Sequence, residues 1–140
     1  MRISDILRAW RISGSTVLAE LFGGLMRQGP DVEPLTTLTY GPTIAIDASL
    51  GNLFVVTITD AVAFVVGAPT NTPPTGRSQV IAITFRNGSG GAHGAGTYNA
   101  VFKTSGNVPA IANGFSRTFA YQWDGTNWVQ TLVPATDVAN

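Results

Sequence analysis

His93 is the one histidine of this 140-residue chain, and it lies in a glycine-rich stretch, Asn87-Gly88-Ser89-Gly90-Gly91-Ala92-His93-Gly94-Ala95-Gly96. A Ser-His-Asp site needs a serine such as Ser89 beside that imidazole, plus an acid to orient it. No G-x-S-x-G elbow accompanies it. The chain has no cysteine, which excludes thiolate nucleophiles, disulfides and Cys-based zinc sites. With one histidine, a metal centre would require several Asp or Glu to converge on it. The expectation is a solvent-exposed loop histidine, with no catalytic, cofactor-binding or metal-binding residue. The glycines themselves, Gly91 to Gly96, have the spacing of a phosphate-binding loop. Thr97 stands where that motif requires lysine, so they read as a mobile tip between strands.

The carboxylates after residue 34 are Asp47, Asp60, Asp124 and Asp137. A glycosidase pair would place two of them about 5–10 Å apart in a cleft, and nothing in their spacing supports that. Asp47, Asp60 and Asp124 each end a strand-like run before a turn, where an Asp side chain accepts from nearby backbone N–H groups. Tyr121, Trp123 and Trp128 could form a stacking platform for a sugar or a base. Aromatics at alternating strand positions more commonly fill a core, and nucleic-acid stacking needs a basic groove. Arg77, Arg86, Lys103 and Arg117, the only basic residues after residue 34, do not supply one.

The elements that hold these residues fall into two regions. Residues 1–34 read as an N-terminal arm, helical or extended. Ile3, Ile6, Leu7 and Trp10 form a helical apolar stripe, with Ser4 as N-cap. Ser13-Gly14-Ser15 breaks it. The apolar stretch around Leu21, Phe22, Leu25 and Met26 is interrupted by Glu20 and closed by Arg27, so it is a poor signal-peptide core and too short to span a bilayer. Residues 35–140 read as strands. Asn52 to Thr59 is nearly continuous Val, Ile, Phe and Thr, as in a well-buried strand. Ser78 to Arg86 alternates, with Ile81, Ile83 and Phe85 on one face. Gly67 to Gly76 is a Pro- and Asn-containing loop. Phe115 to Trp123 and Asn127 to Val133 form a hairpin about Asp124-Gly125, with Phe115, Arg117, Phe119, Tyr121, Trp123, Trp128, Gln130 and Leu132 on one face. The spacing predicts an all-β domain, a jelly-roll-like β-sandwich of about eight antiparallel strands. No repeat of solenoid or propeller period is visible. In this scheme Asp47, Gly51, Asp124 and Gly125 are turn residues, and Tyr121, Trp123 and Trp128 are core.

Composition narrows the function further. Charged residues make up 11% of the chain and the formal net charge is zero, against about 25% charged in a typical domain. A charge-poor, neutral surface favours association and gives no electrostatic footprint for nucleic acid.

Three segments in order carry a family likeness. They are Asp47-Ala48-Ser49-Leu50-Gly51-Asn52 before an apolar strand, the Asn71 to Pro74 loop leading into Gly76 to Ile81, and Asp124-Gly125-Thr126-Asn127-Trp128 after a tyrosine-containing strand. Over residues 40–133 this order resembles β domains of tailed-phage virion proteins, found in head-decoration or cement proteins and in tail fibres or tail tips. The resemblance implies a non-enzymatic structural protein. A short chain with an apolar arm suits a cement protein, made in the host bacterial cytoplasm and bound to the outer capsid surface. Its expected partners are the major capsid protein and itself, as a dimer or trimer, with no nucleic acid and no membrane. Trp10, Leu21, Phe22, Leu25 and Met26 are the expected interface anchors. The alternative is a receptor-binding domain of a tail fibre or tail tip, and an enzyme acting on glycans stands third.

Overall fold

β-Branched and aromatic residues at alternating positions build short strands here, and the connections between them decide how those strands pair. The computed structural model describes residues 33–132 and 136–140. The arm anchors Trp10, Leu21, Phe22, Leu25 and Met26 lie outside the described residues. The strands in order are β1 (Leu35–Leu38), β2 (Thr43–Ile44), β3 (Leu53–Ile58), β4 (Phe64–Val66), β5 (Val80–Asn87), β6 (Gly96–Tyr98), β7 (Phe102–Lys103), β8 (Phe115–Trp123), β9 (Trp128–Leu132) and β10 (Val138–Ala139), with one 3-10 turn at Ala48–Leu50. They form a seven-stranded sheet of order β1-β3-β5-β8-β9-β7, with β10 also paired to β8, and a three-stranded sheet of order β2-β4-β6.

The fold is all-β, and the expected antiparallel arrangement is corrected. Both sheets contain parallel pairs: β1 with β3, β3 with β5 and β7 with β9 in the larger sheet, and both pairs of the smaller sheet. Among the named strands, antiparallel pairing is confined to β8 with its partners β5, β9 and β10, and a single antiparallel bridge joins Gly96 to Val108. A jelly roll is built from antiparallel strands, and these pairings do not make one. The cause lies in the connections. From β1 to β6 the chain alternates between the two sheets, so each strand returns to its own sheet beside its predecessor and in the same direction. The result is a short coil of rungs. Leu35, Leu53 and Ala82 stand side by side in register, as do Thr43, Val65 and Thr97. The intervals between these residues are unequal, which is why no repeat is visible in the sequence.

The core lies between the sheets. Leu38, Val56 and Phe85 stand in one cross-strand row, and Phe54, Ile83 and Phe119 in another. Ile44, Phe64 and Val66 meet them from the smaller sheet, and all are buried. Phe85 joins the layers, stacking on Phe64 at 6.3 Å between centroids and meeting Phe119 edge-on at 5.9 Å. Each such side chain contributes roughly 1.5–3 kcal/mol relative to exposure. The rungs are also tied at a corner. Ala48 N donates to Thr70 O at 3.0 Å, Thr70 N to Ile46 O at 2.9 Å, and Gln79 Nε2 lies 2.9 Å from both Ala48 O and Asn52 Oδ1.

In the hairpin, Trp123 pairs with Trp128 across a four-residue loop, Asp124 to Asn127. Farther along, Tyr121 pairs with Gln130 but Ala120 with Leu132, so Thr131 is an extra residue in β9. A bulge of this kind turns the strand over. Leu132 therefore sits on the outer face, 52% exposed, and not on the aromatic face as the alternation predicts.

Candidate functional site

Asp47 follows β2 and caps the 3-10 turn. Its Oδ1 accepts from Ser49 N at 2.9 Å, Ser49 Oγ at 2.6 Å and Asn71 Nδ2 at 3.0 Å. Those donors, with the Ser49 hydroxyl first, hold its carboxyl below the ordinary range. Gly51 closes the turn at φ 138°, with Pro34 against it, so the position favours glycine. Asp124 repeats the device in the hairpin loop. Its Oδ1 accepts from Asn127 N at 2.7 Å and Thr126 N at 2.8 Å, which lowers its pKa in turn. Gly125, at φ 102°, supplies the left-handed step. Asp60 accepts from Val62 N at 2.8 Å and lies 2.9 Å from the Tyr40 hydroxyl.

Asp137 has a role that no local sequence signal marks. Its Oδ1 binds Arg117 through Nε and Nη2, both at 2.6 Å, and its Oδ2 accepts from Ala112 N at 3.1 Å. Arg117 is thus held by an ion pair with both side chains largely buried. The pair anchors the segment that leads into β10. Arg117 also borders a cleft of about 250 Å³ with Tyr98, Ser105, Asn107, Phe119 and Gln130.

Tyr121, Trp123 and Trp128 are 0%, 9% and 0% exposed. The two indoles lie 5.3 Å apart, and Tyr121 donates to the Tyr98 hydroxyl at 2.7 Å. Burial pushes Tyr98 up to about 12, against the hydrogen bond from Tyr121, and pushes Tyr121 higher still. These rings are enclosed and offer no platform. Among the described residues the buried Trp128 Nε1 finds no hydrogen-bond partner, a penalty of about 1–3 kcal/mol set against burial of the whole ring.

The glycine-rich segment is packed, and this corrects two readings. His93 is half-buried. Its Nε2 accepts from Ile111 N at 3.0 Å, which leaves Nδ1 to carry the proton and donate to Gly94 O at 2.7 Å. The imidazole is a strut between two loops, and its ring also meets Phe64 at 6.2 Å. Buried Asn87 has both ends of its amide engaged. It donates to Gly91 O and Ile111 O and accepts from Ser89 N and Oγ. Ser89 is therefore bonded to Asn87 and Gly91 O, with no bond to His93. Gly94 and Gly96 are not a mobile tip. A β-carbon at either would collide, with the Val62 carbonyl and the Phe64 ring respectively.

Among the described residues, no group of three His, Cys, Asp or Glu could hold a metal ion, and no helix is long and apolar enough to cross a membrane. The feature that remains is a surface. Leu35, Leu53, Ala82, Ala120 and Leu132 lie in one register across five strands, on the face turned away from the core. Leu35 is 57% exposed and Leu53 38%. The sequence shows these residues singly; only the pairing and the Thr131 bulge align them. A second apolar concavity, about 460 Å³, runs along the open end of the coil, past Leu38, Tyr40, Ala45, Ile46, Leu50 and Ala68. Set beside protein-family models, curated proteins and solved structures, the chain matches none of them.

Proposed function

We propose that this chain is a non-enzymatic structural protein of a phage particle that binds the outside of the capsid and cements neighbouring major capsid proteins. The observation that carries this reading is the occupation of the reactive side chains. Asp47, Asp60, Asp124, Asp137, Asn87 and His93 all hold the chain's own backbone. A two-sheet body whose carboxylates and histidine are engaged by its own backbone, with a Leu- and Thr-containing exterior, acts by contact. The order of motifs shared with virion β domains supplies the particle, and the anchors Trp10, Leu21, Phe22, Leu25 and Met26 supply apolar groups for the shell. Mass action supplies the stabilisation: a ligand that binds only the assembled shell raises its stability by about 2.7 kcal/mol at one hundred times its Kd.

The test mixes purified protein with empty capsids and measures occupancy and shell melting temperature. Saturable binding with a rise in shell melting is expected. An absence of saturable binding overturns the cement role. The alternative, a receptor-binding domain of a tail fibre or tail tip, draws on the loop from Pro74 to Ser78, which is exposed throughout. It gains if the protein binds host cells and ignores capsids.

A further inference from the structure

We propose that the outer face of the seven-stranded sheet is a two-fold docking surface for a second copy of this chain. The row Leu35, Leu53, Ala82, Ala120, Leu132 crosses β1, β3, β5, β8 and β9, a run of about 20 Å at the usual strand spacing of about 4.8 Å. On one side it is flanked by Val80, Gln122 and Val129. On the other stand Thr37, Thr84 and Thr118, with Val55 between Thr37 and Thr84 already buried. None of these twelve positions carries a charge. Leu35, Val80 and Leu132 are each more than half exposed. A sheet face turned to water ordinarily carries polar residues, so this one has the composition of a covered face.

The order of sizes in the row selects the occupant. A two-fold axis lying in the interface, parallel to β5 and above Ala82, lays the row on its own reverse. Leu53 then meets the partner's Ala120, Ala82 meets the partner's Ala82, and Leu35 meets the partner's Leu132. Large side chains fall opposite small ones near the centre, as interdigitating layers require. An axis along the row would set Leu53 on the partner's Leu53 and Ala120 on the partner's Ala120, so that no large side chain faces a small one. The arrangement is self-complementary, as a two-fold contact must be, and keeps the strands of the two sheets aligned. Along β5 the same outer face carries Arg86 two positions beyond Thr84, exposed to solvent and outside the three rows. Twelve outward positions at about 33 Å² of sheet each give about 400 Å² on each copy, roughly 800 Å² in all, below the roughly 1,200 Å² at which stable interfaces begin and in the range of weak contacts. The dimer is accordingly weak and concentration-dependent, in about the micromolar range or above.

Sedimentation of the full chain, without shells, tests this independently of the capsid reading. Wild type is expected to pass from monomer to dimer between about 1 and 500 μM. Ala82→Arg, which sets like charges face to face on the axis, weakens dimerisation at least about 10-fold. Leu53→Lys does the same and stands in if Ala82→Arg disturbs folding, which thermal unfolding reports. Mixing Leu53→Lys protein with Ala120→Glu protein restores dimers, because those positions oppose each other across the axis. A wild type that remains monomeric at 500 μM, association unaffected by both substitutions, or a mixture that stays monomeric overturns the proposal. So does a monomeric wild type whose capsid binding is lost on Leu53→Lys, since the face would then belong to the shell.

Discussion

Gly96 has no room for a side chain. A β-carbon there would run into the Phe64 ring and the Val108 Cβ. Phe64 cannot give way, being 2% exposed and enclosed by the rings of Tyr40, Phe85 and His93. Gly96→Ala should therefore lower stability by about 1–3 kcal/mol, the usual penalty for an overfilled core. Gly91, five residues earlier in the same glycine-rich stretch and with nothing within 4 Å of its β position, is the matched control. Gly91→Ala should change stability by less than about 0.5 kcal/mol. Chemical denaturation of both variants decides the matter, and equal effects would mean that Gly96 is merely a loop residue. The glycine-rich composition was plain in the sequence, but which glycines are packed was not. That depends on β6 lying beside β4, a pairing between residues far apart in the chain.

At the scale of the element, the two Asp-capped turns share one pH signature. Asp47 and Asp124 both have folded-state pKa values below their ordinary values, because hydrogen bonds favour the charged carboxylate. Their contribution to stability is present above the unfolded value, near pH 4, and is lost as pH falls through the lower folded values. Thermal unfolding measured from pH 7 to pH 2 should show the melting temperature of wild type falling steeply below about pH 4. The variant Asp47→Asn with Asp124→Asn should start from a lower melting temperature at pH 7 and fall less over the same interval. An unchanged acid limb in that variant would show that the turns do not depend on ionised carboxylates. These turns were legible in the sequence because an Asp side chain reaches only two or three residues along. The period-two pattern that located β5 and β8, like the apolar run that located β3, is silent on strand direction, since parallel and antiparallel strands bury the same residue types. It is equally silent on Thr131, where one inserted residue moves Leu132 to the opposite face.

For the whole molecule, the unit of stability is the stack of rungs. The core cluster draws on both sheets and on both halves of the chain, from Leu38 to Trp128. β3 and β5 are paired from Leu53 and Ala82 to Ile58 and Asn87. Between β4 and β5, however, the chain passes through Pro74 to Ser78, exposed throughout and closed by a turn from Arg77 N to Pro74 O at 3.0 Å. Among the described basic residues, Arg86 and Arg117 lie inside long paired strands, and Lys103 follows buried Phe102 in β7. Limited trypsin digestion of the native protein should therefore cut after Arg77 before any of these. Exposed loop tips are where native chains are nicked. The cut separates β1 to β4 from β5 to β10 in covalent terms only. Phe54, Val56 and Phe64 remain packed against Ile83 and Phe85, and the β3–β5 ladder keeps its hydrogen bonds. The nicked protein should elute from gel filtration as one species and keep its circular dichroism, and the two halves should part only in denaturant. Halves that separate in native buffer would mean that the first rungs fold independently of the β8–β9 hairpin side, and the coil would then be two structures in contact and not one.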